Sequence, residues 1–131
     1  SSFGQVGPKV GSVPLWGGTQ LLPRLIGMKK AKEMVFLCTP YSATEAKEMG
    51  LINFVVPESE LDTRTEKLCQ ELLAKSPQAL RLARQSFHEG ILKEIERDLK
   101  KLQAIYATAE LQEGMNAFLT KRSPDWNKFR R

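Results

Sequence analysis

Residues 3–27 read FGQVGPKVGSVPLWGGTQLLPRLIG. Glycine or proline stands at 4, 7, 8, 11, 14, 17, 18, 23 and 27. Residues 3–6 suit a short strand. Residues 7–18 suit a loop, because glycine admits unusual backbone angles and proline fixes them. Thr19 is placed to cap a helix over 20–26, and Gly27 to end it. Pro23 falls inside that helix, so a bend or break is expected there.

Working outward, the pattern becomes helical. In residues 28–38, Ala31, Met34, Val35 and Cys38 repeat at i, i+3, i+4, i+7, the mark of an amphipathic helix. Ser42 and Glu45 have capping-box spacing. Ala43, Ala46 and Met49 form the stripe behind them, and Gly50 is the stop. Residues 51–56, LINFVV, suggest a second short strand closed by Pro57. A helix over 63–75 turns Leu68, Leu72 and Leu73 inward. Ser76-Pro77 opens another, with Leu80, Ala83 and Phe87 inward and an end near Gly90. Residues 92–108 carry Ile95, Leu99, Leu102 and Tyr106 on one stripe. Residues 110–121 are expected to bury Met115, Phe118 and Leu119, and the tail to be extended. The reading is a mostly α chain with one or two short strands. Two such strands cannot cover a sheet face of their own, so the chain reads as the second half of a larger fold.

A chain of 131 residues with 41% hydrophobic and 27% charged residues is ordinary for a globular protein. No apolar run approaches the ~20 residues that span a bilayer, and no signal pattern opens the chain. The expectation is a soluble cytoplasmic protein without a membrane role. Net charge is +5, spread along helices without aromatic interleaving, which argues against nucleic acid. Cys38 and Cys69 read as buried free thiols, too few for a metal motif.

The combination FGQ…GP.VGS…GGTQLLPRLIG…KAKEM…YSATEAKEMGLINFVVP, continuing through SPQALRLARQSF to EGMNAFLTKRSPDW, resembles the crotonase superfamily, the enoyl-CoA hydratase/isomerase group. The resemblance covers the whole chain. It implies the C-terminal portion of an α/β fold built as a spiral of ββα units. Residues 1–62 would end the core, and 63–131 would form a C-terminal helical region that associates subunits into trimers or hexamers. The family's oxyanion-hole N–H groups and most of its CoA-binding loop lie in the first half, so this portion alone is expected to be inactive. The implied substrate is an acyl-CoA thioester, with no covalently bound cofactor.

Within the group, FGQVGPKVGS is most similar to 1,4-dihydroxy-2-naphthoyl-CoA synthases. Hydratases carry a catalytic glutamate where this chain has Gly7. In many of the synthases that position is glycine, and bicarbonate supplies the base. Pro14 departs from the synthases' aspartate, and GGTQLLPRLIG is the hydratase/isomerase version. Three readings stand: a synthase-like enzyme, a hydratase/isomerase-like lyase with altered acid/base residues, and a non-catalytic self-association module.

The resemblance implies site residues. Ser12 matches a substrate-contacting serine, or its hydroxyl only closes the loop. Tyr106 matches a phenol that can donate a proton or hold an enolate, or it packs on its stripe. Lys121 matches a lysine that contacts CoA, with Phe118 one turn earlier beside the adenine, or it is a solvated cation. Gly17 and Gly18 would let backbone pass close to an acyl chain, and Trp16 would line its pocket or seal the domain. His88, the sole histidine, suits a helix C-terminus better than catalysis.

Overall fold

The computed structural model describes residues 1–130. In chain order it holds β1 (Ser2–Phe3), a 3-10 turn (Pro8–Val10), α1 (Gly18–Leu37), β2 (Tyr41–Ser42) and α2 (Ala43–Glu48). After the turn Glu58–Glu60 come α3 (Leu61–Leu73), α4 (Pro77–His88), α5 (Ile91–Tyr106), α6 (Ala109–Leu119) and a last turn, Trp126–Phe129. The chain is mostly helical, with a two-stranded antiparallel sheet pairing Ser2 with Ser42 and Phe3 with Tyr41.

α1 folds back on itself at Gly27, whose φ of 75° and ψ of 154° no helix allows. The break expected at Pro23 is absent. The missing proline N–H strands only the carbonyl of Thr19, an exposed residue that water reaches. Bending at Gly27 brings Leu22 against Ala31, Met34 and Val35, and with Tyr41 these form the core. Ile26, Met49 and Leu51 pack on its edge. Tyr41 is tied to α1 by its hydroxyl, which donates to Glu33 at 2.8 Å, while Lys30 reaches the same carboxylate at 2.9 Å.

The capping box at Ser42 is formed in full: the Glu45 carboxylate accepts from the Ser42 N–H at 2.7 Å, and the Ser42 hydroxyl oxygen accepts from the Glu45 N–H at 3.3 Å. The strand expected over 51–56 does not form. The amides of Leu51 and Ile52 both donate to the Ala46 carbonyl, which closes the end of α2 instead of building a ladder. The strand that does pair with the N-terminus is Tyr41–Ser42.

Expected inward faces fail on α3 and α4. Leu72, Leu73 and Phe87 are 56%, 74% and 78% exposed, since nothing among the described residues covers them. On α6 the buried face is Leu111, Gly114 and Ala117, while Met115, Phe118 and Leu119 are exposed. The reason is close approach. A Cβ at Gly114 would run into the Val10 carbonyl and lie 3.0 Å from the Gly11 nitrogen, so only the small-residue face fits against the Pro8–Val10 turn. Cys69 is exposed rather than buried, and Cys38 is half-buried. The tail is not extended throughout: Asp125 accepts from the Asn127 N–H at 3.2 Å and starts the Trp126–Phe129 turn.

Alanine is intrinsically better than glycine inside a helix by about 1 kcal/mol. Gly114→Ala should nonetheless lower stability by roughly 1–3 kcal/mol, the range for overpacking a tight contact. Chemical denaturation of the folded protein checks this.

Candidate functional site

The loop at residues 7–12 is closed by its own backbone. The Gly7 carbonyl accepts from the Val10 N–H at 3.0 Å and from the Ser12 N–H at 2.8 Å. The Ser12 amide, not its hydroxyl, therefore closes the loop, and among the described residues the hydroxyl has no hydrogen-bond partner. Gly7 has an ordinary right-handed backbone, φ −48° and ψ −59°. Its constraint is space: a Cβ would lie 3.1 Å from the Ser12 carbonyl oxygen and 3.3 Å from the Val13 Cα. Gly11 has both constraints. Its φ is 74°, and a Cβ there would sit 2.9 Å from the Glu110 carbonyl oxygen at the start of α6. Gly7 and Ser12 are thus brought together, and α6 holds the loop that carries them.

Gly17 and Gly18 serve the start of α1. Gly17, at φ 95°, offers its carbonyl to the N–H groups of Gln20 and Leu21. A Cβ on Gly18 would meet Pro14 at 2.8 Å. Trp16 beside them is 75% exposed and covers nothing among the described residues. A polar strap then joins α1 to α5. The Gln20 side-chain amide donates to Asp98 at 2.7 Å, and Arg24 grips both Glu94 oxygens at 3.0 and 3.1 Å. The Lys101 ammonium, with Arg97 beside it, holds the Asp98 carboxyl below the usual range against the opposing pull of burial. The Gln20 side-chain oxygen Oε1 is buried without a partner among the described residues.

Tyr106 is the last residue of α5 and 58% exposed, off the packed stripe that Leu102 occupies. It precedes Glu110, whose carbonyl faces Gly11, by four residues, across the junction between α5 and α6. Phe118 and Lys121 lie at the far end of α6, away from that approach along the helix, and Phe118 is 72% exposed. The His88 ring nitrogen Nδ1 lies 2.7 Å from the Arg84 carbonyl, in the last turn of α4, as a helix-end role requires. Among the described residues no group of three metal-ligating side chains is present, and no helix is long and apolar enough to cross a membrane.

Sequence reasoning passed over Glu113 and Arg122. The two Arg122 terminal nitrogens bond both Glu113 carboxylate oxygens, one at 3.0 Å, and the Asp125 N–H donates to Glu113 at 2.9 Å. Bonded first by Arg122 and then by the Asp125 amide, the Glu113 carboxyl is held down to about 2. Between the partners sits Lys121 in a left-handed backbone, φ 53°. The Lys121 N–H donates to Phe118 at 3.2 Å and the Arg122 N–H to Ala117 at 3.0 Å. This is the Schellman ending of a helix, with lysine where glycine is usual. A carboxylate beside a helix-interior glycine, with arginine nine residues on, was the available signal.

The enoyl-CoA hydratase/isomerase family profile matches residues 1–129, and the chain belongs to that family. Among solved structures, carnitinyl-CoA hydratase from Mycobacterium avium is 26% identical, with a TM-score of 0.85 over 97% of this chain and 51% of that one. An enoyl-CoA hydratase/isomerase from Pseudoalteromonas atlantica is 26% identical, TM-score 0.85, over 95% of this chain and 52% of that one. Enoyl-CoA hydratase from Bacillus anthracis is 36% identical, TM-score 0.64, over 95% and 50%. The chain thus spans about half the length of the structures it matches.

Two outcomes are expected. Left-handed backbone costs an L-residue about 1 kcal/mol or more, so Lys121→Gly should raise stability by roughly 0.5–1 kcal/mol in thermal denaturation. The Glu113 carboxyl is lowered on folding, so its contribution is complete above about pH 4.5 and is lost as pH falls toward about 2. A pH series of denaturation midpoints should show that loss, and Glu113→Gln should remove it.

Proposed function

We propose that residues 1–131 are the C-terminal half of an acyl-CoA thioester enzyme of hydratase/isomerase type, working through an enolate. The observation that carries this reading is the Gly7–Ser12 loop. It is closed by backbone, pinned by α6, and leaves a serine hydroxyl without a partner among the described residues. Such a hydroxyl can donate to a developing negative charge on substrate. The thioester oxyanion itself would be bound by backbone N–H groups from the half of the fold outside this chain. Tyr106 is the proton donor or enolate partner in this reading, and its phenol stands exposed at the end of α5. Lys121 meets the phosphates of the CoA moiety with Phe118 near the adenine. Trp16, Gly17 and Gly18 border the acyl chain. The uncovered faces of α3 and α4, Leu73 and Phe87 among them, support burial against the other half of the fold or against further subunits in a trimer or hexamer.

A second reading is favoured by one observation. Gly7 has no side chain, and a Cβ there would crowd Ser12 at 3.1 Å. The position that carries an acid/base carboxylate in hydratases is therefore empty. That supports 1,4-dihydroxy-2-naphthoyl-CoA synthase-type chemistry, with bicarbonate near Gly7 as the base.

The test is a pair of assays on the whole protein that carries this chain. Turnover of an α,β-unsaturated acyl-CoA, with Ser12→Ala and Tyr106→Phe each lowering kcat/KM by roughly 10–100-fold, supports the first reading. Formation of 1,4-dihydroxy-2-naphthoyl-CoA that rises with added bicarbonate supports the second. Turnover of neither thioester, in folded protein, overturns both and leaves self-association as the role.

A further inference from the structure

The end of α6 sets a lysine in a seat that the same chain fills with glycine elsewhere. At the end of α2, the Gly50 N–H donates to Lys47 at 3.0 Å and the Leu51 N–H to Ala46 at 2.8 Å, with Gly50 at φ 81°. At the end of α6 the same two bonds run from Lys121 to Phe118 and from Arg122 to Ala117, with Lys121 at φ 53°. The two turns are equivalent, and only the second holds a side chain in the disfavoured region. A residue in such backbone persists when its surroundings enforce it. What enforces it is visible. Arg122, the next residue, is gripped by both oxygens of Glu113, which lies two turns back on α6 and is only 13% exposed. The Asp125 N–H reaches the same carboxylate, so the chain leaving the turn is tied back to α6 at two points.

The pairing also sorts the charges. The Arg122 guanidinium is spent on Glu113, and Lys128 lies 3.5 Å from Asp125. Lys121 has no ion-pair partner among the described residues. One exposed ammonium is thereby left beside two neutralised cations, on a fixed backbone.

We propose that the Glu113–Arg122 pair is a positioning clasp: it holds Lys121 in its left-handed seat so that the ammonium meets an anionic phosphate of a CoA-type ligand. The proposal rests on the reading above in which Lys121 contacts the CoA moiety. Glu113 does not touch the ligand; it acts through the turn. A bidentate arginine–carboxylate pair suits that task, because its two parallel bonds fix orientation as well as separation.

The experiment is a binding cycle with free coenzyme A, by calorimetry on the whole protein that carries this chain, at fixed salt. Lys121→Met should weaken binding on the order of tenfold, the size of one lost charge-assisted phosphate contact. Glu113→Gln should weaken it about fivefold or more, and the double variant should bind no worse than Lys121→Met alone. Arg122→Lys keeps the charge, loses the two-pronged grip, and should behave as Glu113→Gln does. It also carries the test if Glu113→Gln does not fold. Losses that add in full across the cycle would mean a general structural role and would overturn the clasp. So would a folded Glu113→Gln that binds as wild type. If Lys121→Met binds as wild type, the clasp has nothing to position, and the failure lies in the assignment of Lys121. If the unmodified protein does not bind coenzyme A, the acyl-CoA reading fails and the clasp with it.

Discussion

The approach of Gly114 to the Val10 carbonyl is the contact on which the rest of the site geometry depends. A helix can lie this close to a turn only where both surfaces lack side chains, and Gly11 and Gly114 meet that condition from opposite sides. Once α6 is seated there, Leu111 and Ala117 are buried beside it. The far end of the helix is then placed as well, with the Glu113–Arg122 pair and Lys121. One steric constraint therefore links the loop that carries Gly7 and Ser12 to the helix that carries Phe118 and Lys121. It also explains why α6 turns its larger apolar residues outward: a phenylalanine or methionine on the seated face would hold the helix off the loop.

The two parts of the chain are stabilised differently. Around α1, β2 and α2, apolar residues meet one another and the helix ends are closed by side chains and glycine. Along α3 and α4 the helices rest on local terms, such as the Ser76 cap that accepts from the Ala79 N–H at 3.3 Å. Isolated helices of this length are marginal in water, and packing of an amphipathic face normally supplies most of their stability. Leu73 and Phe87 present such faces with nothing among the described residues against them. The chain matches about half the length of the solved relatives.

Local signals in the sequence were legible. The Ser42 capping box, the Ser76-Pro77 helix start, the stops at Gly27 and Gly50 and the sequence of helices all depend on neighbours within a few residues. The misreadings have a common cause. Residues 51–56 look like a strand by composition, but the turn after α2 uses their first amides. Met115, Phe118 and Leu119 form a plausible buried stripe, but the position of the loop decided which face of α6 went inward. The interior glycine at 114 signalled that decision, since a helix keeps glycine at a cost of about 1 kcal/mol only where space demands it. At the site, the positions of Gly7 and Ser12 within one loop could be read directly. That the Ser12 amide, not the hydroxyl, closes the loop could not, nor could the Glu113–Arg122 grip, because both depend on the exact path of the backbone through a turn, which residue types alone leave open.

The most direct measurement is amide hydrogen exchange at Ser12, comparing the folded protein with Leu111→Ala. Leu111 is 3% exposed beside the Gly11 contact, whereas the Ser42 amide is held by Glu45 at 2.7 Å in a separate part of the chain and serves as the internal reference. If α6 shapes the loop, Leu111→Ala should speed exchange at Ser12 by tenfold or more, a local opening made easier by about 1.4 kcal/mol, and leave Ser42 unchanged. Unchanged exchange at Ser12, or equal acceleration at both amides, would contradict the coupling of loop to helix.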